Sequence, residues 1–115
     1  MSSVFKELGI KRAVSGDIGV EIEVEGECIP VALKYWNNEE DGSLKGESRE
    51  FVLKKPSTLD EVRDALEYLN QLYLTNKTQV HDSIRAGVHI HINCQKLTMT
   101  QLYNFMVVYL ILENV

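Results

Sequence analysis

Cysteine, proline and tryptophan are scarce in this chain, and basic residues are outnumbered by acidic ones. Cys28 and Cys94 are the two cysteines, far apart and outside any C-x-x-C pair, which argues against a zinc ribbon or a thioredoxin-like site. They read as reduced thiols of a cytoplasmic protein. No apolar run approaches the ~20 residues of a membrane span. The opening MSSVFKELGIKR has no apolar core of a secretory signal. Twelve basic against seventeen acidic residues leave a net charge of −5, poor equipment for nucleic acid, whose affinity comes largely from Lys and Arg meeting phosphates. The G-x-x-x-x-G-K-[ST], G-x-G-x-x-G and G-x-S-x-G patterns are all missing, so P-loop, Rossmann and nucleophile-elbow chemistry have no support. No repeat, linker or low-complexity tract interrupts the 115 residues; one domain is expected.

What is present is patterning. Val20, Ile22 and Val24 alternate with Glu21, Glu23 and Glu25, the period of a strand. Ile29 to Trp36 has Ile29, Val31, Leu33 and Tyr35 on one parity and reads as a partner strand, with Pro30 at an edge or a start. Asn37 to Ser43 is rich in turn residues. Ser48 to Leu53 is a further short strand, closed by Pro56. Thr58 and Glu61 make a capping box ahead of an amphipathic helix over residues 59–74. Residues 75–85 read as polar loop, and Val88, Ile90 and Ile92 alternate with His89, His91 and Asn93 in another strand. Thr98 and Gln101 cap a last helix, apolar on most of its surface through Met106, Val107, Val108, Leu110, Ile111 and Leu112. Such a helix wants cover on several sides. The order β-β-β-α-β-α predicts an α+β fold, a mainly antiparallel sheet with two helices.

Three constellations could carry chemistry. Glu21 and Glu23 share a strand face about 6.6–6.8 Å apart along it and repel by roughly 2 kcal/mol at an effective dielectric of ~20. They are either a solvated polar face or a seat for a divalent cation, since carboxylate oxygens are what Mg²⁺ prefers. His89 and His91 are likewise either ordinary half-exposed histidines or nitrogen ligands and proton carriers. Arg85, just ahead of them, is a solvated loop residue or a clamp for carboxylate or phosphate. Finally, Asp41-Gly42-Ser43 precedes Glu47 and Glu50, and Glu50 is expected to face away from Phe51 and Leu53. The third histidine, His81, falls in polar loop and is read as having no role.

Taken together, Gly19-Val20-Glu21-Ile22-Glu23, then Asp41-Gly42-Ser43 with Glu50-Phe51 and Pro56, then Gly87-Val88-His89-Ile90-His91 resemble the phage and bacterial amidoligase family, carboxylate–amine ligases related to glutamine synthetase and glutamate–cysteine ligase. The resemblance implies a curved antiparallel sheet as in part of a glutamine-synthetase-like catalytic domain, ATP and Mg²⁺ as cofactors, and small-molecule or peptide carboxylate and amine substrates joined through an acyl phosphate. By the same resemblance Glu21, Glu23, Glu50 and His91 bind metal, Glu50 and His91 bind the cofactor, and His89 is a catalytic candidate; Arg85, outside the matching motifs, is a further catalytic candidate that would contact substrate or phosphate. Family domains are considerably longer, so the chain is expected to be the N-terminal part of a catalytic domain. Its last helix would be covered by another copy or a partner chain. Two other readings stay open: a metal-dependent hydrolase or nuclease using the same cluster, and a non-catalytic interaction module.

Overall fold

The Val/Glu alternation builds the central strand of a five-stranded sheet, β1 (Ile18–Glu27), in a computed structural model that describes residues 1–11, 16–39 and 47–113. The other elements, in chain order, are α1 (Val4–Glu7), β2 (Trp36–Glu39), β3 (Ser48–Leu53), α2 (Leu59–Asn76), β4 (Gln79–Val80), β5 (Gly87–Ile92) and α3 (Met99–Glu113). Gly16–Ile92 forms one compact unit, and the segments flanking it form a second.

In the first unit every pairing is antiparallel: β1 takes β3 along one edge and β5 followed by β4 along the other, and β2 extends the sheet beyond β3. The α+β class with an antiparallel sheet is therefore as expected, but three helices stand where two are expected, the four-residue α1 having no apolar period to announce it. One face of this sheet is apolar. Val20, Val24, Trp36, Phe51 and Leu53 pack there with Val62, Ala65 and Leu69 of α2 into a buried cluster. Trp36 Nε1 donates to the Ala65 carbonyl at 3.1 Å, and Trp36 meets Phe51 edge-on at 6.4 Å between ring centres. α2 starts where its capping box says it should: Thr58 accepts from the Glu61 N–H while the Glu61 carboxylate accepts from the Thr58 N–H. Those hydrogen bonds hold the Glu61 carboxyl below its usual range. The helix runs two residues past the expected end, to Asn76, and stops because Lys77 adopts a left-handed conformation (φ 54°).

Two further expectations need correction. Residues 29–35 are not a strand. Ile29 and Ala32 turn inward, Val31 and Leu33 stay exposed, and Tyr35 reaches a positive φ of 69°, which breaks an extended run. The strand begins at Trp36 and continues through the Asn37–Glu39 stretch read as turn. Asn38 makes this possible by bonding back to both the N–H and the C=O of Ala32, which replaces the ladder for that bend. The second correction is β4, a two-residue strand inside the presumed polar loop, pairing Gly26 and Glu27 of β1.

In the second unit, Val4 and Phe5 donate N–H groups to Leu97 and Gln95. Thr98 and Gln101 form the expected reciprocal cap ahead of α3. No residue of α3 is buried. No helix among the described residues is long and apolar enough to cross a membrane.

Phe51 is fully buried beneath α2, so Phe51→Ala is expected to cost about 3–5 kcal/mol in urea-induced unfolding. The phenol of Tyr73 lies against Phe51 and, among the described residues, has no hydrogen-bond partner; burial pushes it up from 10.0 to about 12, against a smaller opposing pull from Arg49. The unfolded phenol ionises first, so native stability is expected to fall as pH rises from about 10 to 12. Tyr73→Phe should flatten that alkaline decline in urea titrations across the same pH range.

Candidate metal and substrate site

The sheet face opposite α2 collects the polar residues, and strand register decides which of them meet. Across β1 and β5, Gly19 stands opposite His91, Glu21 opposite His89, and Glu23 opposite Gly87. Across β1 and β3, Glu23 stands opposite Glu50 and Glu21 opposite Val52. Directly opposed residues of an antiparallel pair share a face, so Glu21, Glu23, Glu50, His89 and His91 all lie on one side of the sheet. Glu50 faces away from buried Phe51 and Leu53, as the parity predicted. It also stands opposite Glu39 of β2, an acid that was missed because residues 37–43 were read as turn.

Glu21 is the hub. Its Oε2 lies 3.4 Å from His89 Nδ1 and its Oε1 lies 3.2 Å from His91 Nε2. Its side chain is 29% exposed against 56% and 62% for the two histidines, so both imidazoles lean over it. Two glycines border this floor, and Gly19 makes the closer approach. A Cβ on Gly19 would come within 3.3 Å of the His91 Cβ, tighter than ordinary packing. At Gly87 a Cβ would stand 3.9 Å from His89 Nε2 and 4.0 Å from Glu23 Oε2, so His89 carries one nitrogen toward Glu21 and the other into the neighbourhood of Glu23.

The remaining candidates scatter. Arg85 is exposed in the turn ahead of β5, where its N–H donates to Ser83 Oγ, and it does not line the hollow beside Glu21 and His91. Asn93 lies past the end of β5, and its Oδ1 accepts from the Gln95 N–H. Glu47 is structural: its carboxylate accepts from the N–H groups of Cys28, at positive φ, and Ile29. His81 Nε2 reaches Glu27 at 4.0 Å, away from the cluster. Asp41, Gly42 and Ser43 lie outside the described residues. Neither Cys28 nor Cys94 forms a disulfide.

The donor set of carboxylates with imidazole suits a divalent cation that accepts oxygen and nitrogen. Among the described residues no three such groups converge to enclose an ion. A cation held here would keep much of its water shell, which is the habit of Mg²⁺. It would also displace one of the two histidine contacts, because both Glu21 oxygens already face an imidazole. A hollow of about 210 Å³ opens beside the pair, and a larger one of about 340 Å³ lies over the helix-bearing side between Tyr35, Leu53 and Glu61, away from the carboxylate–imidazole cluster. No protein-family model, curated protein or solved structure matches the chain.

Two glycine substitutions separate architecture from site. At Gly26 a Cβ would fall 2.0 Å from the Gln79 carbonyl oxygen, whereas at Gly19 it meets only the His91 side chain. Gly26→Ala is expected to destabilise the fold outright. Gly19→Ala should leave the melting temperature within a few degrees while displacing the His91 ring, seen as a shift of its imidazole NMR signals.

Proposed function

We propose that the polar face is the metal-binding floor of an ATP- and Mg²⁺-dependent carboxylate–amine ligase of the amidoligase type. The observation that carries this reading is the common face shared by Glu21, Glu23, Glu50, His89 and His91, drawn from three strands, with Gly19 standing close under His91. Glu21, Glu23, Glu50 and His91 would hold Mg²⁺, which when bound neutralises developing phosphate charge. The substrate carboxylate attacks the γ-phosphorus of ATP, releasing ADP and leaving an acyl phosphate. The amine then displaces phosphate to leave an amide. Phosphoryl transfer asks for placed charge and alignment more than for covalent help from the protein.

His89 supplies the proton chemistry in this reading. With Nδ1 3.4 Å from the Glu21 carboxylate, Nε2 is the nitrogen left to face the substrates. Nε2 is then the acceptor for the proton that the attacking amine must lose. Arg85, at the head of β5, serves as a charge for the incoming carboxylate or phosphate. The net charge of −5 does not oppose ATP once bound cations invert the local field.

Calorimetric titration with Mg²⁺ and with Mg–ATP tests the reading. Wild type is expected to bind both. Glu21→Ala combined with Glu23→Ala should weaken both by more than about tenfold, the loss that follows even from removing an outer partner of a metal ligand. Unchanged Mg–ATP affinity in that double variant would refute the assignment. Phosphate release that needs metal but neither amine nor carboxylate would favour the hydrolase reading instead.

A further inference from the structure

The 210 Å³ hollow is walled by Gly19, Glu21, Val52, Lys55, Pro56 and His91, among others. It is smaller than the roughly 300–1,000 Å³ of pockets that swallow whole ligands, so it fits one terminal group rather than a nucleoside. Two of its walls, Glu21 and His91, belong to the cation-binding side of the ligase reading, on which this inference rests. The third charged wall is Lys55, a residue that no motif singled out.

The fold brings Lys55 there deliberately. Ser57 and Ile18 exchange backbone hydrogen bonds of 2.8 and 3.0 Å, which ties the chain just after β3 to the start of β1. Neighbouring Lys54 is committed elsewhere, its Nζ donating to the Leu33 carbonyl at 2.6 Å. Lys55 Nζ pairs with Glu61 at 3.6 Å, and the two side chains are 69% and 47% exposed. An exposed pair of this kind is weak, so the ammonium can swing from Glu61 into the hollow on its flexible stem.

We propose that Lys55 holds the terminal oxyanion of a ligand, a phosphoryl or carboxylate group, in the hollow beside Glu21 and His91. An ammonium on one side and a cation-bearing carboxylate on the other would clamp such a group from two directions. Glu21 without its cation repels the same group, so binding tightens when a divalent ion is present.

Chemical-shift titrations with inorganic phosphate and with acetate, each with and without Mg²⁺, read the site directly, and Mn²⁺ binding followed by electron paramagnetic resonance reads the cation side alone. Lys55→Met is expected to weaken anion binding about tenfold, the worth of one charge-assisted hydrogen bond, while leaving Mn²⁺ affinity and thermal stability unchanged. Glu61→Gln keeps a residue able to complete the capping box and releases Lys55, so it should tighten anion binding severalfold. Preference for phosphate or for acetate assigns the hollow to the phosphoryl or the carboxylate group. Equal anion affinity in wild type and Lys55→Met, or no anion binding by wild type under any condition, overturns the proposal. Lys55-dependent phosphate binding by a protein that holds no Mn²⁺ upholds this anion site while removing the ligase reading.

Discussion

Everything on the polar face depends on the register of β1 against its two neighbours. Side chains alternate along a strand, so a slip of one residue would bury Glu21 and Glu23 under α2 and turn Val20 and Ile22 to water. The register against β3 is held from the other side of the sheet, whereas β5, whose Val88, Ile90 and Ile92 are exposed, is placed by its backbone ladder with β1. Trp36 and Phe51 lock β2 and β3 beneath the helix, and the indole bond to Ala65 ties the helix to the sheet. The hydrophobic effect therefore fixes where the carboxylates of β1 and β3 go, although no charged residue takes part in that core.

That division explains how acids can be packed so closely on a small domain. Glu23, Glu50 and Glu39 follow one another across three strands, and like charges directly opposed destabilise a sheet. The histidines stand beside Glu21 on the opposite edge. A cation bound on this side would reduce the repulsion between neighbouring carboxylates. The metal-binding proposal draws on this gathering of carboxylates and imidazoles on one face.

Much of this was legible in the sequence because it is written in local periods. The Val/Glu and Val/His alternations placed β1 and β5 and gave their polar faces, and the Thr58–Glu61 and Thr98–Gln101 pairs located two helix starts. The failures came where long-range pairing overrode local pattern. Ile29 to Tyr35 alternates well enough to look like a strand, yet the Asn38 side chain and the positive φ of Tyr35 give that segment another course. β4 exists only because β1 runs long enough to pair it. The left-handed residue that stops α2 is Lys77, neither Gly nor Asn, although Asn76 stands just before it. Register itself was invisible: the sequence showed an acidic pair and an imidazole pair, and only the antiparallel ladder sets Glu21 against His89 and a glycine against each outer member. Lys55 escaped notice for the same reason, since it reaches the site through the return of the chain after β3.

Gly-Val-Glu-Ile-Glu and Gly-Val-His-Ile-His are two versions of one five-residue phrase, laid head to tail. The first is anchored by the core through Val20 and Ile22, whereas Val88 and Ile90 of the second are exposed, and in both the third and fifth places carry the polar side chains. The imidazole strand consequently takes its position from its ladder to the acidic strand rather than from the interior.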